Sequence, residues 1–496
     1  MEGAGEGVYK KSIRSGKWFF LNILSQKLIG VVSFFILARL LIPGDYGVMA
    51  AIMLVLGLIN QLTTVPFGDA LTQRKGDIER FLDPLWTFEI LRSAVVVIFI
   101  FFAGGSLANF FHLSGTDSIL MSYSGLLVLI PAFSNPRQIY FIKELYFHKV
   151  FIRDVVSQIA FVATAVCYAL FIKASPLALF FGYAAQYFSG VCLSFFLHPV
   201  IPRFSARFNN LMELIGYSKW SYGQDLMSFL SSQLDRMVVG RLLSPHELGV
   251  YARSKDLSST ASSIVFTIFD KVGFAAFSKV QDRMDKVREG FLKSVDVVLI
   301  AAIPITVILL FEGGALVRIL LGEKWLSLVV PLKIFASGNI FFVFNRIVSP
   351  VLNAIGRPDV NFKINAIQLA LTLPSMYIGF RYFDFRGLSV SIVITWIIML
   401  CYVVIRTRGI LMIPKRSFYP SITSGFIACV GTLVMDLIFR SFRNVNTSTI
   451  IILVQVAILG AIYFSLLLWS SWKIGKGPYE TLRSILRELG VLPQKC

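Results

Sequence analysis

Apolar runs of about 20 residues recur along the whole chain, each long enough to cross a bilayer core as a helix. In lipid every backbone N–H and C=O must be satisfied within the chain, so only helices or closed barrels can span. The ten-residue alternation of a transmembrane barrel is absent. Composition agrees: of 496 residues, 56% are hydrophobic and only 15% charged, with a mean hydropathy of +0.73. A chain solvated by water does not carry so little charge. The expected fold is an all-α polytopic membrane protein of about fourteen transmembrane helices. They are placed at roughly 18–37, 46–67, 86–108, 119–136, 154–172, 176–198, 217–239, 250–270, 294–317, 328–345, 362–380, 387–405, 418–439 and 448–472. The first run lacks a small-x-small cleavage site and reads as a retained helix.

The loops orient the bundle. Most of the 47 Lys and Arg fall in the two termini and every second loop. The 271–293 loop alone holds Lys271, Lys279, Arg283, Lys286, Arg288 and Lys293, whereas 109–118 holds none. Positive charge marks the cytoplasmic side, so both termini are expected in the cytoplasm of a multi-pass cell-membrane protein. The net charge of +19 is scattered between apolar runs, which argues against a nucleic-acid partner.

One phrase is written twice. "RLLIPGDYGV" begins at Arg39 and "RLLSPHELGV" at Arg241, with Pro43 and Pro245, and Gly47 and Gly249, in register. Both fall on outer turns, between helices 1 and 2 and between helices 7 and 8. A second echo pairs "FFAGGSLANFF" (101–111) with "LFEGGALVRIL" (310–320). Six helices separate the copies, so both enter the membrane in the same direction, an arrangement found in transporters. The expected organisation is two six-helix lobes (1–200 and 217–408) around a central cleft. A cytoplasmic linker (201–216) joins them, and two extra helices (409–472) and a cytoplasmic tail (473–496) follow. The repeated turn itself reads as scaffold: Pro can open a helix and Gly permits a tight turn.

Enzymatic motifs are missing. Cys167, Cys192, Cys401 and Cys429 sit inside apolar runs, and Cys496 is terminal. His112, His148, His198 and His246 show no metal-ligand spacing. There is no GxSxG and no phosphate-binding P-loop, so no cofactor is expected beyond a coupling proton or cation.

The stretches "ARLLIPGDYGVMA" (38–50), "FGDALTQRKGDIE" (67–79) and "KELYFHKVFIRDVVSQIAF" (143–161) resemble the Wzx-type oligosaccharide flippases. These are the polysaccharide exporters of the multidrug/oligosaccharidyl-lipid/polysaccharide superfamily, and the similarity is to the colanic-acid-exporter-like branch. It covers roughly the first 270 residues well and the remainder by helix pattern. The resemblance implies two facing lobes and transbilayer movement of a polyprenyl-diphosphate-linked oligosaccharide. Such cargo serves surface or extracellular polysaccharide synthesis, with membrane lipids and a glycan polymerase as neighbours.

Candidate substrate groups are polar residues inside the apolar runs. Lys27 lies roughly 13–14 Å deep, counted at about 1.5 Å per residue from Trp18. Exposed to lipid at that depth it would cost about 3 kcal/mol. It borders a helix-face stripe of Asn22, Gln26, Gly30 and Ser33. Helix 7 offers Gln224, the repeat-mate of Asn22, with Asp225, Ser228, Ser232 and Asp235. Helix 8 offers Arg253, Lys255, Ser258, Ser259, Ser262 and Ser263. Arg92 follows Glu89 by three residues, a spacing suited to an intrahelical pair. We take Lys27, Asn22, Gln26, Arg92, Gln224, Asp225, Arg253 and Lys255 as substrate-binding candidates. Cations would meet the diphosphate, and amides and hydroxyls the sugars. Helix packing is the competing role for the stripes, since small and polar residues also join helices in lipid. Asp225, Asp235, Glu89 and Asp296 are candidates for a coupling proton or ion.

Two other functions stay open. A multidrug efflux transporter of the same superfamily would favour deep acids over the intramembrane bases seen here. A glycan polymerase or ligase would need a sizeable outer catalytic loop, and every outer loop is short.

Overall fold

The computed structural model describes residues 2–65, 67–74, 76–268, 274–414, 419–441, 449–474 and 477–488. Among them all regular structure is helical. Contacts gather the chain into two compact units, Met1–Ala252 and Arg253–Cys496.

The first unit holds α1 (Glu2–Leu40), α2 (Pro43–Thr63), α3 (Phe67–Gln73) and α4 (Glu79–Phe110). A broken stretch follows: α5 (Thr116–Tyr123), α6 (Leu126–Ala132), a 3-10 turn (Pro136–Gln138) and α7 (Ile139–Lys143). Then come α8 (Phe147–Phe171), α9 (Pro176–Leu197), α10 (Asn209–Leu242) and the first turns of α11 (Pro245–Ile268). The single span expected at 119–136 is therefore interrupted. Pro136 has no N–H to carry a helix on, and Asn135 caps the 3-10 turn through its side chain. The helix expected from 154 begins earlier, at Phe147. Long α10 packs on α2, α3 and α4. Near one end of that contact, Glu213 accepts from Arg74 at 3.1 Å and Arg80 at 2.9 Å.

The repeated phrase encodes matching helix starts. Asp45 Oδ2 accepts the Ile42 N–H at 3.0 Å, and Glu247 Oε2 accepts the Ser244 N–H at 3.0 Å. Each acid stands three residues inside its helix and satisfies an amide ahead of the first turn. The two starts also meet. A Cβ on Gly47 would lie 1.6 Å from the Pro245 carbonyl oxygen, and one on Gly249 2.0 Å from that of Pro43. Each glycine thus lets the other copy's proline carbonyl come to backbone contact, which no residue with a Cβ would permit.

The second echo packs differently in its two copies, closely in the first and at ordinary contact distance in the second. A Cβ on Gly104 would lie 2.5 Å from Ser122 Cα, so α4 packs tightly on α5 there. In the second unit, Cβ atoms on Gly313 and Gly314 would meet Leu332 and Val329, each at 3.6 Å.

The second unit continues α11 and adds α12 (Phe274–Lys279), α13 (Met284–Leu320), α14 (Val329–Ala354) and α15 (Pro358–Leu411). After these come α16 (Tyr419–Ser441), α17 (Thr449–Ile474) and α18 (Pro478–Glu488). α15 is two helices joined at Phe383–Asp384, where Asp384 takes φ +49°. It therefore contains both spans expected at 362–380 and 387–405. α16 and α17 pair with each other and lean on α13. The core joins Phe291 and Val343 to Val351, Met399, Tyr463 and Leu467. α18 turns 95° from α17 and is pinned to α13, where Thr481 donates to buried Asp296 at 2.6 Å.

Among the described residues, eight helices are long and apolar enough to cross a membrane, or ten if two bent pairs each count as one span. α10 and α11 are not among them, because their acids, bases and serines lower the hydropathy. Large apolar side chains stand bare on the surface, Phe102 at 81%, Phe171 at 82% and Phe196 at 81% exposed. Such a surface is solvated by lipid. The chain is a multi-pass all-α membrane protein.

Candidate functional site

The interrupted helix leaves room inside the first unit. A cavity of about 410 Å³ opens there, with walls from α2, α4, the α6–α7 break and α8. Its size suits a small-molecule ligand. Val128, Pro131, Ala132 and Ile142 make its apolar side, and Asn60, Glu89, Arg92, Gln138 and Arg153 its polar side.

The break is held rigidly. Asn135, fully buried, accepts the Arg137 N–H at 3.0 Å through Oδ1. Its Nδ2 donates to the carbonyls of His198 (2.7 Å) and Val200 (2.8 Å), and its own N–H donates to Ser194 Oγ at 2.9 Å. Arg137, also buried, donates through Nε to Glu79 at 2.7 Å and through Nη1 to Asp83 at 3.2 Å. His198 stacks on Tyr140 just beyond the end of α9. Burial lowers its pKa, and the positive charges of Lys149 and Arg137 lower it further.

Arg92 reaches the cavity from α4. Its Nε and Nη2 donate to Glu89 at 3.0 and 2.8 Å. This is the intrahelical pair expected from the spacing. Nη1 donates to Asn60 Oδ1 at 3.1 Å and Thr63 Oγ1 at 2.9 Å, tying α4 to α2. Arg153 reaches it from the first turns of α8. Its Nε and Nη2 donate to Asp154 Oδ1 at 2.9 and 2.7 Å, and Nη1 donates to Gln138 at 2.6 Å. Asp154 Oδ2 in turn accepts from Asn22 Nδ2 at 3.0 Å and Gln26 Nε2 at 3.1 Å. One chain of polar contacts therefore runs from α1 through Asp154 and Arg153 to the cavity.

Of the candidates read from sequence, the structure joins Asn22, Gln26 and Arg92 to this system. Buried Asn22 and half-buried Gln26 face α8, where the Nδ2 of one and the Nε2 of the other donate to Asp154. Lys27 is half-buried on α1 and does not line the cavity. Asp225 is exposed on α10. The side chain of Gln224 lies outside the described residues. Arg253 and Lys255 belong to the second unit, where Arg253 pairs with Asp256 at 3.6 Å. Of the helix 8 serines, Ser258 and Ser259 both donate to the Lys255 carbonyl, and Ser262 accepts from Asn339 at 2.8 Å. Asp235 is buried and accepts from the buried Tyr251 hydroxyl at 2.9 Å. The sequence reading missed Arg153, Asp154, Gln138, Asn60 and Tyr251.

In chemical terms, two carboxylate-paired guanidiniums, with Glu89, Asn60 and Gln138 beside them, give an otherwise apolar cavity one polar wall rich in N–H donors. The fold is shared with membrane transporters. The solved "Lipid II flippase MurJ, inward closed conformation" aligns over 94% of this chain and 100% of that one, with TM-score 0.69 and 15% identity. A multidrug resistance MATE family transporter of the MOP superfamily, inward-facing, aligns over 79% and 98%, with TM-score 0.65 and 13% identity. The model of the family described as "Polysaccharide biosynthesis protein" matches residues 36–330, more than half of the chain, and the chain belongs to that family. Relatives include the lipopolysaccharide biosynthesis protein WzxC of Escherichia coli K12, 22% identical across 86% of this chain and 87% of that protein. Another is the teichuronic acid biosynthesis protein TuaB of Bacillus subtilis 168, 23% identical across 71% and 73%. The resemblance read from the three sequence stretches is borne out.

Proposed function

We propose that this protein is a flippase. It moves a polyprenyl-diphosphate-linked oligosaccharide from the cytoplasmic to the outer leaflet for polysaccharide synthesis. The observation that carries this reading is the cavity into which Arg92 and Arg153 both open, inside a bundle belonging to a polysaccharide biosynthesis family. A diphosphate cannot cross hydrocarbon unaided, and guanidiniums in apolar surroundings offset its charge. The two arginines that line it supply N–H donors suited to phosphate oxygens, and Glu89 stands beside them on the same wall.

In this account the protein is a transporter rather than an enzyme, sits in the cytoplasmic membrane and has both termini in the cytoplasm. The two copies of the repeat act as lobes in alternating access, with the polyprenyl tail left in lipid and no cofactor required. A proton or cation on an intramembrane acid couples the cycle, with buried Asp235 and Asp296 as the candidates best enclosed. A glycan polymerase takes the delivered unit.

The test is deletion of the gene, followed by lipid extraction and mass analysis of spheroplasts. The flippase account expects accumulated polyprenyl-diphosphate oligosaccharide with its glycan still facing the cytoplasm. Unpolymerised glycan on the outer leaflet would instead favour a polymerase or ligase. An unchanged lipid-linked pool would favour drug efflux.

A further inference from the structure

We propose that the segment 198–208, which joins α9 to α10, docks on anionic phospholipid at the bilayer surface. Ile201 and Phe204 enter the edge of the acyl chains, and Arg203 and Arg207 meet the lipid phosphates. The inference does not depend on what the protein carries. Three observations carry it.

The first is depth. α9 runs from Pro176 to Leu197, ~33 Å at 1.5 Å per residue and close to the thickness of a hydrocarbon core. The segment therefore begins where the chain leaves the core. α4 agrees. It is 32 residues long, ~48 Å, so it outruns the core, and its first turns carry Glu79, Arg80 and Asp83. Trp86 follows those charges, at the level where tryptophan favours the membrane–water interface, and Phe204 packs against it at 4.9 Å.

The second is what the segment exposes. Ile201 is 77% and Phe204 71% exposed, and Val200 is exposed beside them. Bare apolar side chains on a spanning helix are covered by lipid, but these stand on irregular backbone. Arg203 and Arg207 are exposed among them and enter no ion pair among the described residues. Large apolar groups interleaved with open guanidiniums match a surface that offers acyl chains below and phosphates above. Irregular backbone stays out of hydrocarbon, so only the side chains enter.

The third is that the segment is held in place. Asn135 Nδ2 donates to the carbonyls of His198 and Val200 at 2.7 and 2.8 Å. The Ser205 N–H donates to Thr87 Oγ1 at 2.9 Å. Pro199 and Pro202 fix φ at two further positions and bring no N–H that would need a partner at the lipid surface. The apolar and basic side chains are thus presented by a braced loop, and docking orders little further.

The test uses the full-length protein with its native cysteines replaced and a fluorescent bimane on Ile201→Cys. It is reconstituted into nanodiscs of phosphatidylcholine with a minority of phosphatidylglycerol. A doxyl quencher near the lipid carbonyl is carried by one lipid or the other at equal mole fraction. The bimane should be quenched by doxyl lipid and shielded from aqueous iodide. Labelled phosphatidylglycerol should quench it at least about threefold more than labelled phosphatidylcholine, since each base near the surface enriches anionic lipid about fivefold. Arg203→Gln with Arg207→Gln should remove that preference. Arg283→Gln with Lys286→Gln removes as much charge from exposed positions elsewhere and should leave it intact. Quenching by iodide and not by doxyl lipid would place the segment in water and overturn the proposal. Equal quenching by the two labelled lipids would also overturn it, as would a preference that survives loss of both arginines. If the cysteine-substituted chain does not fold, native mass spectrometry of the otherwise wild-type protein decides. Phosphatidylglycerol retained by the wild type should fall in the Arg203→Gln, Arg207→Gln double variant, and equal retention would overturn the proposal.

Discussion

Gly47→Ala is the most sharply defined perturbation the structure offers. The new methyl would sit 1.6 Å from the Pro245 oxygen, where real Cβ contacts essentially never fall below 3.0 Å. The obstacle is a backbone carbonyl at a helix start, so no side chain can rotate aside. The starts of α2 and α11 must separate by roughly 1.4 Å, an overpacking strain of about 1–3 kcal/mol, toward the upper end because backbone moves. Gly249→Ala acts on the same contact from the other side, with 2.0 Å to the Pro43 oxygen. The two costs should therefore not add: once one methyl has parted the helices, the second enters space already opened, leaving a coupling of about 1 kcal/mol or more. Gly44→Ala is the control on the same helix start, because a Cβ there meets only Ile42 at 3.9 Å. It should stay within about 0.5 kcal/mol of wild type. The assay is denaturant-titrated unfolding in mixed micelles for the two single mutants, the double mutant and the control. Additive single costs, or a Gly47→Ala cost no larger than that of Gly44→Ala, would refute the reading of this contact.

Three further outcomes follow from other contacts. Asn135→Ala leaves the His198 and Val200 carbonyls and the Arg137 amide without partners, and should cost about 2–4 kcal/mol in the same unfolding assay. Asp384→Gly relieves a positive φ in the turn of α15, and a gain of about 1 kcal/mol is expected after the added chain entropy of glycine. His198 has its folded pKa pushed below the ordinary 6.5, so its neutral form adds stability above that value, lost as pH falls through the folded pKa. His198→Phe keeps an aromatic ring against Tyr140 and should flatten the part of the stability decline below pH 6.5 that this ring causes.

Much of the fold was legible because lipid imposes a simple rule on length and apolarity. The repeated phrase announced matched helix starts, and Asp45 and Glu247 deliver them. That Gly47 and Gly249 touch was not legible, because it joins two turns far apart in sequence. Arg92 and Glu89 were legible from an i, i+3 spacing on one helix. Arg153 was missed for a boundary reason. The helix was expected to start at 154, which placed Arg153 in a loop as one more cytoplasmic base, while α8 begins at Phe147. The clue available was the Asn22 and Gln26 stripe: two amides on one helix face need an acceptor, and Asp154 is a lone acid opening an apolar run. Which acid meets which amide is a tertiary fact, fixed by how α1 packs on α8.

The most direct test of the account is movement itself. Purified protein would be reconstituted into vesicles loaded with a fluorescent polyprenyl-diphosphate oligosaccharide in the inner leaflet, under an imposed proton or sodium gradient. The arrival of glycan outside would be followed with a membrane-impermeant quencher. The account predicts arrival well above that of empty vesicles, and a loss of most of that excess in Arg92→Ala and in Arg153→Ala at equal protein content. Wild-type protein that moves the glycan no faster than empty vesicles under either gradient would contradict it.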